Sequence, residues 1–278
     1  RIGGAGNVAL NIQSLGAKAY VLAVTGDDEE AYKLKELFSA NSINTDYSIL
    51  SRSRITTNKT RIISRNQHML RLDAEVTRDL NSTDEQSMVE LIHLFIKKEQ
   101  PDIIILEDYN KGTLTPGLIR IVIETCKEAG IMVAVDPKRK NFFEYKGVDL
   151  FKPNLKEVKD ALNYIFKDVD HFILKEIHSK LFNELNHKVS LITLSENGIF
   201  YHEEKGSAII PSHFRNIADV SGAGDTVIAV AALVYAVTKN VSLMSEIANI
   251  AGGLVCEEVG TAVINKEKLL HECVLLLS

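Results

Sequence analysis

Asp219-Val220-Ser221-Gly222-Ala223-Gly224-Asp225 runs straight into a small-residue apolar stretch, 227–237. Glycines at 222 and 224 let the backbone turn sharply and approach a ligand with no Cβ in the way. The stretch that follows has helical length and composition. The N–H groups of Gly222, Ala223 and Gly224 therefore fall at a helix N-terminus, where unpaired donors and the positive end of the dipole both face an anion. Asp225, in the first turn, suits a helix start on electrostatic grounds alone. A carboxylate beside such an anion hole can also orient a hydroxyl for attack on a phosphoryl group. Asp219, six residues upstream, tips the segment toward the chemical reading.

Two further segments could carry chemistry. Near the start, Gly4-x-Gly6-x-x-Ala9 fits a dinucleotide fingerprint, with Asp27 about 20 residues on where a ribose-binding acid would fall. No strand precedes that pattern in the sequence, and it leaves the Gly222–Asp225 turn unexplained, so a nicotinamide enzyme is the weaker reading. The other phosphate motif, Gly-x-x-x-x-Gly-Lys-Ser/Thr, is absent from the chain, which excludes a P-loop site. The second segment, 45–73, alternates polar and apolar residues over 47–50, 57–63 and 68–72 and carries Arg52, Arg54, Lys59, Arg61, Arg65 and Arg71. It predicts a small antiparallel lid with one wet face. Its cations form either a solvated edge or a surface that closes over an anionic substrate.

The elements around these segments alternate. Short apolar runs at 20–25, 103–107, 132–136, 150–152, 189–193 and 199–202 predict strands. Helical patterns occupy 7–15, 29–40, 83–98, 116–129, 156–165, 174–185, 226–237 and 243–258. Thr115-Pro116 reads as an N-cap with proline at the first helical position, and Gly130 as a C-cap. Strand–helix repetition with near-continuous apolar strands means a mainly parallel sheet covered on both faces.

Composition agrees with an enzyme of one large α/β domain: 278 residues, 45% apolar, formal net charge −5. With no basic excess, nucleic acid is not an expected partner. No apolar stretch reaches the roughly 20 residues of a membrane span, and no signal segment opens the chain. Cys126, Cys256 and Cys273 are odd in number and widely spaced, so reduced thiols in a cytoplasmic protein are expected rather than a zinc site or a disulfide framework.

Gly3-Gly-Ala-Gly-Asn7 and Asp219-Val-Ser-Gly-Ala-Gly-Asp225 together resemble the two motif regions of the ribokinase (PfkB) carbohydrate kinase family, a likeness that runs essentially the whole length. Within it the chain most resembles the kinase domains that phosphorylate D-glycero-D-manno-heptose 7-phosphate at C1 on the route to ADP-heptose. The segments that carry this are 64–73 (SRNQHMLRLD), Glu107-Asp-Tyr-Asn-Lys-Gly112, Val135-Asp-Pro-Lys138, and Lys152-Pro-Asn154 with Glu157. The resemblance implies a ribokinase-like three-layer α/β sandwich over 1–278 as a single kinase domain, with a mainly parallel central sheet, a small β-sheet lid at about 45–73, and a homodimer joined through the lid. In two-domain members a nucleotidyltransferase domain follows, and nothing here is long enough to be one. The family's first strand carries a sugar-binding aspartate and would precede Arg1, so the sugar site in this sequence is expected to be incomplete.

Roles follow from the resemblance, position by position. Asp225 takes or orients the proton of the attacking hydroxyl, while Gly222, Ala223 and Gly224 stabilise the transferring phosphoryl group. Asn154 and Glu157 hold magnesium near the ATP phosphates, Glu157 through water; they equally form an ordinary capping pair. Asp219 is either a turn-forming aspartate or the acid beside a monovalent cation such as potassium. Thr193, Ser195 and Gly198 match the nucleotide-binding turn, with Asn249 near the adenine. Gly3, Gly4 and Asn7 match the sugar loop, and Asp73 and Asp108 are further polar contacts. Arg65, Arg71, Lys111 and Lys138 either meet phosphate oxygens or are solvated cations.

Overall fold

The computed structural model describes residues 1–64, 67–164 and 169–277. In chain order come α1 (Ala5–Ser14), β1 (Val24–Gly26), α2 (Glu29–Ala40), β2 (Ile49–Ser51), β3 (Asn58–Ser64) and β4 (Gln67–Ala74). There follow α3 (Ser82–Glu99), β5 (Ile103–Glu107), α4 (Pro116–Ala129), β6 (Met132–Asp136), β7 (Leu150–Phe151), α5 (Leu155–Leu162) and α6 (His171–Leu185). The chain continues with β8 (Val189–Thr193), β9 (Ile199–Glu203), β10 (Gly206–Ile210), α7 (Ala223–Thr238), α8 (Val241–Val255) and α9 (Lys266–Leu277).

The main sheet has the order β10-β9-β8-β7-β6-β5. β5 to β8 pair in parallel, and β9 and β10 add antiparallel. Successive strand residues face opposite ways, and the two cores divide them accordingly. Val133, Val135, Phe151, Ile192 and Phe200 pack with α3, α4 and α6 through Met88, Phe95, Leu118, Val122 and Leu181. Ala134, Leu150, Val189, Leu191 and Ile199 pack against α7 and α8, through Ile228, Val230, Met244 and Ala251. This is the three-layer sandwich expected. α7 is buried from Asp225 to Ala232, which accounts for its small residues: helix α1 on one side and α8 on the other leave room for little else.

The strand predicted at 20–25 forms only over Val24–Gly26, with a single bridge from Tyr20 to Asn44. Its partner is β2, in parallel, so the segment at 47–50 belongs to the body and not to the lid. The reason is aromatic burial. The Tyr47 ring sits edge-on to Phe95 at 5.1 Å and to Tyr20 at 6.1 Å, and its hydroxyl donates to Glu99 at 2.7 Å. The lid is thus one antiparallel hairpin, β3–β4. β10 and α9 were not predicted. Gly206-Ser-Ala opens β10 with weak strand formers, and much of α9 is exposed, which blurs its apolar period. No helix among the described residues is long and apolar enough to cross a membrane.

Candidate active site

Polar side chains collect at the carboxyl ends of the parallel strands, where ligands bind in open α/β sheets. Glu107 ends β5 and lies opposite Asp136, which ends β6. Lys152 follows β7, and Thr193, ending β8, bridges Asn154. Helix α7 starts against this row because its glycines permit it. Gly222 has φ 84°, and a Cβ there would lie 2.9 Å from Asn7 Nδ2. The open side of Gly224 faces Lys152 Nζ, 3.7 Å from where a Cβ would stand, and Asp136 Oδ2 at 3.9 Å. The first-turn N–H groups of α7 have no intrahelical acceptor; that of Ala223 reaches Val220 O at 3.3 Å.

The carboxylate of Asp225 is gripped on both oxygens. Asn7 Nδ2 donates to Oδ2 at 2.9 Å, and the Tyr109 hydroxyl donates to Oδ1 at 2.7 Å. Burial pushes the pKa of Asp225 above the ordinary carboxylate value, against the pull of those two hydrogen bonds, and nearby Asp136 pushes the same way. Helix α1 is pinned in place one turn further on. Asn11 Oδ1 accepts from Ile264 N at 2.9 Å and from the Thr226 hydroxyl at 3.4 Å.

Next to the turn runs a line of buried charge. Lys152 Nζ meets Asp136 Oδ2 at 2.7 Å, with the two side chains only 3% and 6% exposed. Lys138 meets Asp136 Oδ1 at 2.9 Å and Glu157 Oε1 at 2.5 Å. Burial disfavours the Lys138 ammonium, but the two carboxylates outweigh it and hold its pKa above the usual lysine value. Asn154 and Glu157 form a complete capping box on α5, each side chain accepting the other's backbone N–H at 2.8 Å. Among the described residues no group of three or more His, Cys, Asp or Glu side chains could cage a metal. This donor set suits magnesium held chiefly by phosphate oxygens and water, with one carboxylate at hand.

On the far side of α7, Asn249 Nδ2 donates to Pro211 O at 2.8 Å. Gly198 has φ 91°, and a Cβ there would stand 2.0 Å from Ile210 O. That close approach sets the chain after β10 against the Thr193–Gly198 turn, where Ser195 has φ 55°. Asp219 ties the approach to α7 down: Oδ1 accepts Ser221 N at 2.9 Å and Oδ2 accepts Gly260 N at 3.0 Å, the turn-forming arrangement. Exposed apolar side chains, Phe214, Val220 and Val259, border this side.

The structure scatters the remaining predicted residues. A Cβ at Gly3 would meet open space among the described residues, whereas Gly4, at φ 59°, lies under the Tyr109 ring. Asp108 turns inward, accepting from the Tyr145 hydroxyl and from Asn110 N, each at 2.7 Å. Lys111 is paired with Glu75. Arg71 and Asp73 pair with each other on the hairpin at 2.9 Å. Arg65 lies outside the described residues. The residues not singled out from the sequence are Tyr109, Asp136, Lys152 and Glu107. Both carboxylate oxygens of Glu107 are buried and neither is hydrogen-bonded among the described residues, and their burial together with Asp136 raises its pKa well above the usual range. A signal existed for two of them: Glu107 and Asp136 are acids that end apolar strands.

A buried carboxylate, a helix N-terminus and a flanking lysine can together hold a hydroxyl against a phosphoryl group and spread the charge that develops there. Comparisons with known proteins agree. Two solved structures share the fold at low identity. Phosphofructokinase-2 from Escherichia coli in complex with potassium has a TM-score of 0.83 at 17% identity, covering 99% of this chain and 88% of that one. Arabidopsis thaliana ribokinase complexed with ribose and ATP has a TM-score of 0.76 at 18% identity, covering 96% and 87%. Among curated relatives, the bifunctional protein HldE of Sulfurimonas denitrificans is 36% identical over 266 residues, 95% of this chain and 54% of the relative. That of Aliarcobacter butzleri is 38% identical over 270 residues, 96% and 55%. The chain therefore spans about half the length of the curated relatives it matches. The pattern of pfkB family carbohydrate kinases matches residues 1–268, and the chain belongs to that family.

Proposed function

We propose that this chain uses ATP to phosphorylate the C1 hydroxyl of D-glycero-β-D-manno-heptose 7-phosphate, giving the 1,7-bisphosphate on the route to ADP-heptose, a lipopolysaccharide core precursor. The observation that carries the kinase chemistry is the Asp225 carboxylate, buried at the N-terminus of α7 beside Lys152. The heptose phosphate rests on the likeness to the bifunctional HldE proteins.

Asp225 accepts the hydroxyl proton, and its position matters more than its basicity because the transition state is loose. The α7 N-terminus and Lys152 face the charge on the transferring phosphoryl group. Lys138 and Glu157 stand where nucleotide phosphates and their magnesium would lie, and magnesium when bound supplies charge neutralisation there. The Thr193–Gly198 turn, Asn249 and the apolar rim at Phe214 and Val220 take the nucleoside end. A potassium ion would sit beside Asp219, the acid that fixes the turn before α7. Glu107, with unpartnered oxygens, joins Gly3, Gly4 and Asn7 as a partner for sugar hydroxyls.

The β3–β4 hairpin is the lid of the site in this reading. Its register places Lys59, Arg71 and Asp73 on one face and Ile62, Leu70 and Leu72 on the other. Glu75, just past β4, meets both Lys59, at 4.0 Å, and Lys111 of the body, which ties the charged face to the loop after β5. The outward face is apolar and exposed, and a second copy would bury it, giving a homodimer through the lid. ATP supply and the free thiols of Cys126, Cys256 and Cys273 both suit the cytoplasm.

ADP release measured over a panel of sugars and sugar phosphates tests the assignment, with heptose 7-phosphate expected to give the highest kcat/KM. Asp225→Asn should lower kcat by about 10²-fold or more, the scale of a lost acid–base group. Near-normal turnover in that variant at saturating substrate would sink the kinase reading.

A further inference from the structure

The Tyr109 phenol donates to Asp225 Oδ1 at 2.7 Å from the loop after β5. We infer that Tyr109 is a positioning residue for the base: together with Asn7 it locks both carboxylate oxygens of Asp225, so that the carboxylate is held in one orientation for the sugar hydroxyl. The inference rests on the kinase reading above.

Four observations support it. The two donors reach different oxygens of Asp225, at 2.7 Å and 2.9 Å, from the loop after β5 and from α1. A carboxylate held on one oxygen can still swing about its Cβ–Cγ bond, whereas one held on both cannot. Each oxygen has a second lone pair, so the grip leaves room for a hydroxyl. Next, the phenol keeps its proton and so its donor. Burial, then the charge on Asp225, pushes its pKa far above the ordinary tyrosine value, so it stays neutral and cannot itself take the substrate's proton. Third, the ring is wedged: a Cβ on Gly4 would stand 3.4 Å from Tyr109 Cε2, so the Gly3-Gly4 turn holds the ring over the carboxylate.

The fourth observation is the balance of charge. Burial and Asp136, at the end of β6, push Asp225 toward its neutral form. Asn7, Tyr109 and Lys152 pull toward the carboxylate. A base must be ionised to accept a proton, so Tyr109 is one of three counterweights to burial and a neighbouring acid. A hydrogen bond donated to the charged form favours that form. Removing it raises the pKa of Asp225, and activity then disappears at a higher pH on the acid side.

The experiment compares kcat as a function of pH, from about pH 5 to pH 9, for the parent, Tyr109→Phe, and a protein carrying 3-fluorotyrosine at 109. Phenylalanine keeps the ring wedged and deletes only the donor. Fluorine makes the phenol a stronger donor. The acid limb should move up by roughly one to two pH units in Tyr109→Phe, as expected for a lost hydrogen bond to a charged group, and down in the fluorotyrosine protein, with KM for ATP unchanged in both. A tyrosine that merely packs would leave both limbs where they are, and coincident acid limbs would overturn the inference. Should Tyr109→Phe fail to fold, the fluorotyrosine protein decides alone. Failure of the kinase reading is distinguishable, because it appears as a parent that releases no ADP or as an active Asp225→Asn variant.

Discussion

Beneath the glycine turn, Lys152 and Asp136 are as inaccessible as the apolar core, while on the β3–β4 hairpin Leu70 and Leu72 are 52% and 53% exposed. The floor buries charge and the cover exposes hydrocarbon, each against the usual preference. A buried ion pair stabilises a fold poorly, because desolvation offsets most of the attraction. What it gives the floor is a set of charges that cannot rearrange when a highly charged ligand arrives. The hairpin makes the opposite trade. With few buried contacts of its own it can move as a unit, and its cost is an apolar face that needs a partner.

The sharpest way to break that contrast is to remove one charge from the floor. Lys152→Met has similar length and leaves Asp136 Oδ2 without its cation, although Oδ1 keeps Lys138. Removing one partner of a buried pair costs about 3–5 kcal/mol, and the second lysine places this case at the lower end. Urea unfolding should show that loss. A change under about 1 kcal/mol would mean that water reaches Asp136 and that the floor is not the rigid element it is taken to be.

The same contrast explains what was legible in the sequence. β6 was read to the residue because Met132–Val135 is an unbroken apolar run stopped by Asp136-Pro137. The caps at Thr115 and Asn154 were read because each bonds only three residues along, to Leu118 and Glu157. Asn7 and Asp225 were both singled out, but not as partners. They lie 218 residues apart, and no periodicity records which distant side chains meet. Tyr109 lies within the Glu107–Gly112 segment that carries the resemblance, but its contact with Asp225, 116 residues on, is unreadable for the same reason. The alternation at 47–50 matches an edge strand of a lid, whereas its parallel pairing with β1 and the aromatic cluster of Tyr20, Tyr47 and Phe95 anchor it in the body.

A smaller effect on folding is expected from the outward face of the hairpin. Leu72→Glu puts a carboxylate in the middle of the Ile62, Leu70 and Leu72 face. The stability of the monomer should change by less than about 0.5 kcal/mol, as for other exposed positions. Its association should not survive, since burying an unpaired charge in an apolar interface costs far more than one leucine contributes. Sedimentation of both proteins over a concentration series reads this directly. A variant that sediments as the parent does would place any interface elsewhere.

The smallest effect on folding, and the most informative for the substrate, belongs to the charged face. Arg71 is half exposed, and its pair with Asp73 is a same-strand contact of the kind that contributes about 0–1 kcal/mol. Arg71→Ala should therefore melt almost as the parent does. Its guanidinium gives Asp73 one nitrogen, which leaves the rest of the fork for the oxygens of a sugar phosphate, held on the hairpin away from the γ-phosphate of ATP. A neutral sugar cannot use such a fork in the same bidentate way. The variant should lose kcat/KM for a sugar phosphate by roughly 10- to 150-fold, the cost of one charge-assisted hydrogen bond. The unphosphorylated sugar should be turned over at its parental kcat/KM. Equal losses on both sugars would show that Arg71 shapes the lid without reading phosphate. No loss on either would make this face a solvated edge, and an acceptor without a phosphate would then be the better substrate for the site.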